Sequence, residues 1–256
     1  MENNIVNKYE LFKSGKREYT LAIVWMLWGV ILFFELLSDV LENFLHSTIK
    51  TPIPSISYTP PGYFFIYFTY QSNILILLFI IAFAVVTFTK QKNAFTKFLY
   101  TVVHNKSTVV ALTLYMVLTF LVALVILTGF NNFTWSDDAF IVHVITPLVM
   151  ISMFFFIPTF DKKYTWKNVI YFIIYPFTYV VLVTLIGSFV KYNNINPDPE
   201  KGGLRWAFPY EFLNWHDHGW PQYFGYVVGL IAVFSAIGWG LGLWKGKIDK
   251  MFSKVS

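Results

Sequence analysis

The chain is 256 residues long, 56% hydrophobic and only 13% charged, with a mean hydropathy of +0.56; soluble domains carry roughly 25% charged residues, so this one belongs in a bilayer. Cysteine is absent, which excludes disulfides, thiol nucleophiles and cysteine metal sites together. The formal charge of +5 would suit nucleic acid, but once the basic residues are assigned to loops the positive-inside rule accounts for them better, and no nucleic-acid partner is expected.

Residues 1–18 are polar and carry Lys8, Lys13, Lys16 and Arg17. The apolar run 19–37 follows. It is about long enough to cross the ~30 Å hydrocarbon layer, and with no small-residue cleavage pattern at its end it reads as a retained helix. Five further spans are expected at 63–89, 108–130, 138–160, 168–190 and 222–244. The reading is an all-α, multi-pass protein of the cell membrane. It consists of a cytoplasmic N-terminal tail (1–18), a six-helix transmembrane bundle (19–244) and a cytoplasmic C-terminal tail (245–256).

Sidedness comes from lysine and arginine. The N-terminal tail has four; the loop 90–107 has Lys90, Lys92, Lys97 and Lys106; the loop 161–167 has Lys162, Lys163 and Lys167. Lys245, Lys247, Lys250 and Lys254 bring this side to fifteen, against four on the other: Lys50, Lys191, Lys201 and Arg205. Both termini are therefore expected in the cytoplasm, with the loops 38–62, 131–137 and 191–221 outside. The long outer loops are stiffened by Pro52, Pro54, Pro60 and Pro61 and by Pro197, Pro199 and Pro209, which suits a lid over the outer face.

Polar residues inside spans are costly and mark functional sites. Helix 2 opens on Tyr67-Phe68-Thr69-Tyr70-Gln71-Ser72-Asn73, with Asn73 on the same face as Thr69. Thr69 lies about 9 Å below the outer boundary at 1.5 Å per residue, and His143, on helix 4, lies about 7–8 Å below it. His143 is the sole histidine in an expected span. Pro147 cannot donate to the His143 carbonyl, so that turn is expected to be open. The bland alternatives are interhelical glue for the hydroxyls and amides and a carbonyl-bonded structural histidine. Glu35 and Asp39 also lie at the outer end of helix 1, and Asn131, Asn132, Asp137 and Asp138 flank helices 3 and 4. His216-Asp217-His218 lacks zinc spacing and cysteine support, so no metal and no cofactor are expected. No nucleophile elbow, H-E-x-x-H helix or phosphate loop is present.

These residues resemble the androgen-induced membrane proteins, six-helix threonine hydrolases of fatty acid esters of hydroxy fatty acids, and their bacterial six-helix relatives. The resemblance covers nearly the whole chain. It rests on Tyr67 to Asn73, on His143 with Pro147, on Tyr175-Pro176-Phe177-Thr178-Tyr179 and on Trp206-Ala207-Phe208-Pro209-Tyr210. The threonine–asparagine and histidine–proline spacings differ slightly from the animal enzymes, and Ser72 offers a second hydroxyl.

The resemblance implies a serine/threonine-type lipid esterase with Thr69 as nucleophile and His143 as base. The chemistry is coherent, since a threonine hydroxyl needs a base and neutral imidazole serves near pH 7. Gln71, Ser72 and Asn73 are the candidates for binding substrate and its oxyanion. Asp137 and Asp138 are candidates to orient His143 by position. The expected partners are membrane lipids and a lipid-ester substrate, with no oligomeric state implied. Two other functions fit the same residues: a small-solute transporter or binding subunit, and a non-catalytic membrane protein.

Overall fold

In a bilayer every backbone N–H and C=O must be satisfied within the segment, and a helix does this. The structure, a computed structural model, describes residues 16–48, 67–89, 93–129, 140–160, 164–192 and 213–253; among them it holds helices and no strand. In chain order they are α1 (Lys16–Thr48), α2 (Phe68–Thr89), α3 (Ala94–Val103) and α4 (Lys106–Gly129). A π-helical turn (Ile141–Ile145) then runs directly into α5 (Thr146–Phe156), followed by α6 (Trp166–Tyr192) and α7 (Trp215–Ser253). The all-α class expected from the sequence is thus observed.

Among the described residues four helical stretches are long and apolar enough to cross a membrane: Lys16–Leu41, Phe68–Thr89, Trp166–Phe189 and Trp215–Met251. The two remaining expected spans fall on shorter apolar helices, Lys106–Leu121 within α4 and Ile141–Phe156. Residues 1–15, most of the outer loops, Asn131, Asn132, Asp137, Asp138 and the 206–210 motif lie outside the described residues.

Hydropathy misplaced several helix ends. α1 continues to Thr48, past the expected 37, and α7 starts at Trp215 and continues to Ser253, past 244. Hydropathy marks where side chains turn polar, whereas a helix persists while its carbonyls find donors. The segment 90–107, expected as an inner loop, contains α3. Its start is closed by a capping box, with Thr96 N donating to Asn93 Oδ1 at 2.9 Å and Asn93 N to Thr96 Oγ1 at 3.2 Å.

α2 is the central helix. Of its apolar stretch 56% is buried, against 28% for α1, 17% for α6 and 22% for α7. α1 lays Ala22, Trp25, Leu32 and Leu36 inward and turns Leu27 and Phe34 outward; Gly29 brings it close to Ile80 of α2. Such exposed apolar faces suit lipid. In α6, Pro176 cannot bond the Phe172 carbonyl four residues back, and Tyr115 of α4 supplies the missing donor, its hydroxyl 3.1 Å from that oxygen. α6 and the Tyr164 that precedes it press rings on α7 at two glycines: a Cβ at Gly238 would lie 2.4 Å from the Phe172 ring, and one at Gly242 2.0 Å from the Tyr164 ring.

At the opposite end from Thr69, the described parts of the expected inner segments converge. Phe160 N donates to the His104 carbonyl at 2.9 Å, Asn168 Nδ2 to Ser107 Oγ at 2.9 Å, and Lys245 Nζ to the Ile157 carbonyl at 2.6 Å. Arg17 sits 5.5 Å above the Phe156 ring.

Candidate functional site

The first turns of α2 bury three polar residues of the motif, Thr69 at 6% exposed, Ser72 at 1% and Asn73 at 0%, and leave Gln71 partly buried. Ser72 and Asn73 both turn back onto the Thr69 carbonyl, with Ser72 Oγ donating at 2.9 Å and Asn73 Nδ2 at 2.8 Å. Asn73 Nδ2 also donates to the Val142 carbonyl at 3.3 Å, so one amide ties the head of α2 to the residue before His143. Gln71 looks the other way, its Oε1 accepting from Tyr175 OH at 2.8 Å. Phe68 packs between Tyr115, Tyr175 and Tyr179. The Tyr67–Asn73 motif of α2 and the Tyr175–Tyr179 motif of α6 are therefore in contact.

The open turn expected at Pro147 is present, as a π-helical turn. Thr146 donates its N–H to the Ile141 carbonyl five residues back, and its hydroxyl reaches the same oxygen at 3.1 Å. Pro147 lacks the proton that would continue an α-register, so the extra residue accommodates it. Single π turns of this kind are frequent at functional sites. His143 lies inside it, partly buried. Its Nδ1 is buried with no hydrogen-bond partner, and the Thr119 main chain of α4 lies next to the ring. A neutral ring protonated on Nε2 leaves Nδ1 with its lone pair.

Thr119 is the residue that sequence reasoning missed. It is 2% exposed, its hydroxyl lies 3.4 Å from Ser72 Oγ, and its main chain lies beside the His143 ring. Nothing in the sequence separates it from Thr113 on the same helix, whose hydroxyl only bonds back to the Val109 carbonyl at 2.7 Å.

Thr69, Ser72, Asn73, Thr119 and His143 thus form one connected network. Among the described residues no hydrogen bond joins the Thr69 hydroxyl to the His143 ring. Beside the network is a cavity of about 110 Å³ between α2, α4, α6 and α7. Thr69 and Thr119 line it along with Ile173, Pro176, Val180, Leu230 and other apolar residues. Phe177, also in the wall, is 49% exposed, so the wall reaches the outer surface of α6.

The His216-Asp217-His218 stretch is the capped first turn of α7: Asn214 Oδ1 accepts from His216 N at 3.2 Å, and its Nδ2 donates to the Asp217 carboxylate. His218 faces Tyr226. Gly219, at φ +74°, then breaks the helix ahead of Pro221. No group of three or more metal-ligating side chains converges among the described residues.

A second polar cluster lies at the far end. Lys245 (0% exposed) pairs with Asp249 at 2.9 Å, Lys106 approaches Asp249 at 3.9 Å, and Thr159 donates to it from its backbone N–H at 3.3 Å and from its hydroxyl. His104 sits beside it, Nδ1 2.7 Å from the Pro158 carbonyl. Burial pushes the His104 pKa down to about 4, against the opposing carbonyl bond.

The fold is that of a helical membrane protein, and its distinctive feature is a polar network set against an apolar cavity. Comparison with known protein families, curated proteins and solved structures finds no match, so the site has to be read from its own chemistry.

Proposed function

We propose that this chain is an integral-membrane lipid-ester hydrolase, a six-helix bundle with both termini cytoplasmic, in which Thr69 is the nucleophile and His143 the base. The observation that carries this reading is the state of His143. Its Nδ1 is buried and open, one residue after the Val142 carbonyl that Asn73 holds, beside the polar network that contains Thr69. A neutral imidazole with a bare nitrogen is what base-assisted attack requires. The separation of the Thr69 hydroxyl from the ring is compatible, since catalytic hydrogen bonds often tighten only when substrate binds.

The cavity supports the substrate class. Its wall is almost wholly apolar, with Thr69, Thr119 and Tyr179 the residues in it that carry hydroxyls, so it suits an acyl chain that enters past Phe177 from the lipid. The likeness to the androgen-induced membrane proteins points the same way. Convergence of the lysine-bearing inner segments at one end supports the common sidedness of both termini.

Thr69→Ala should abolish fluorophosphonate labelling and ester cleavage, and His143→Ala should slow turnover by roughly 10²–10⁴-fold. Ser72→Ala should leave most activity. Wild-type protein that takes up no probe and cleaves no lipid ester would sink the reading; an active Thr69→Ala with an inactive Ser72→Ala would move the nucleophile. For topology, a Ser57→Cys probe on this cysteine-free chain should label from outside the cell, and labelling only from the cytoplasm would invert the assignment.

A further inference from the structure

Asn73 has its two ends in different states. Its amide nitrogen is committed to the Thr69 and Val142 carbonyls at 2.8 and 3.3 Å. Its amide oxygen, in a side chain 0% exposed, is buried without a hydrogen-bond partner. The orientation is fixed, because turning the amide over would set its oxygen against two carbonyl oxygens. No N–H is left for an oxyanion, the role the sequence suggested for this residue; what Asn73 offers is an acceptor.

His143 presents the matching deficit from the facing element. Its Nδ1 is buried and unpartnered, and in the neutral ring protonated on Nε2 that nitrogen is an acceptor as well. The Asn73–Val142 bond ties the two side chains to one locality. Buried polar atoms are nearly always paired, and where the protein supplies no partner a water commonly does. A water has two protons, one for each acceptor. Bound so, its lone pairs are free for a third group.

We propose that Asn73 Oδ1 and His143 Nδ1 hold the water that hydrolyses the acyl-threonine intermediate, an inference that rests on the threonine-hydrolase reading above. Once Thr69 Oγ1 carries the acyl group, the water oxygen bonds to the acyl carbon as one of its protons passes to His143 Nδ1. Asn73 Oδ1 holds the other O–H and aims the attack. The bond between the acyl carbon and Thr69 Oγ1 then breaks, Oγ1 takes the proton back from Nδ1, and the carboxylic acid leaves. Water is the only co-reactant. A neutral amide suits this position, since a carboxylate there would repel the developing negative charge.

The test separates acylation from deacylation. Wild type, Asn73→Leu and Asn73→Ser are each labelled with a fluorophosphonate. Separate, unlabelled samples are mixed with p-nitrophenyl octanoate, and both turnover and intact-protein mass are followed. Asn73→Leu, near in volume but with no acceptor, should keep probe labelling within a few-fold, lose turnover by roughly 100-fold and accumulate protein octanoylated on Thr69. Asn73→Ser, with a shorter acceptor, should trap less. Labelling and turnover falling together with no acyl-protein would make Asn73 a clamp between helices and overturn the proposal, as would wild-type turnover in Asn73→Leu. If Asn73→Leu does not fold, Asn73→Ser decides by the same split. A wild type with neither labelling nor turnover removes the hydrolase reading and this inference with it, whereas a labelled, active wild type with no acyl-protein in either variant removes this inference alone.

Discussion

Asp249, at one end of the helices, is met by Lys245, by Lys106 and by both donors of Thr159, while near the other end Asn73 and His143 each keep a buried atom with no partner. Both clusters carry a desolvation cost, larger for the first because it buries charges, since each draws polar groups out of water into an apolar bundle. Only the first is answered from within the chain. A satisfied cluster holds elements together: here it pins α7 to the start of α4 and to the segment after α5. An unsatisfied one retains binding capacity, and it does so beside a cavity. Burial alone does not distinguish structure from function; the state of the remaining lone pairs does.

The contrast can be broken most strongly at Asp249. Asp249→Ala leaves two buried ammonium groups without their acid and should cost about 3–5 kcal/mol. That is a fall of roughly 6–20 °C in the unfolding midpoint of a chain this size. Adding Lys245→Met should recover part of the loss, because an apolar replacement for a buried ion pair is often close to neutral. Protein that remains folded should keep the chemistry of the Thr69 network.

Gly242→Ala comes next. Its methyl would enter the Tyr164 ring, and such overpacking typically costs 1–3 kcal/mol, so roughly that loss is expected in thermal unfolding. Tyr115→Phe should cost about 1–3 kcal/mol by leaving the Phe172 carbonyl without a donor. It should also slow turnover more than Gly242→Ala does, because the Pro176 turn borders the cavity.

Acid should act on the far end through His104. Its folded pKa, near 4, lies below the ordinary value of 6.5. The unfolded chain therefore binds the proton first, and the stability contributed by the neutral ring is present above pH 6.5 and lost as pH falls towards 4. Unfolding midpoints measured between pH 7 and 4.5 should fall with acid, and His104→Gln should flatten that slope. An unchanged slope would mean that His104 is not the titrating group. The smallest effect is expected for Ser72→Ala, about 0.6 kcal/mol as for other hydrogen bonds between membrane helices. A larger loss would make the Ser72–Thr119 contact a structural hinge of the network.

Much of this was legible in the residues. Low charge and long apolar runs dictate helices, because a bilayer offers the backbone no other partner. Pro147 forecast the open turn, because a missing N–H acts on a local register whatever surrounds it. Thr69 and His143 could be matched in depth because helical rise is constant. What tertiary structure alone decided depends on rotation and on distant pairing. Thr119 became part of the site, and Thr113 did not, through the face of α4 that meets Ser72 and His143. Lys106 and Lys245, counted only as charges marking the cytoplasmic side, proved buried because α7 continues past its apolar run and carries Asp249 one turn beyond Lys245. Asn73 was legible as a polar residue on the right face. Which of its two ends would be engaged depended on a carbonyl sixty-nine residues away, and no local pattern in the chain encodes that.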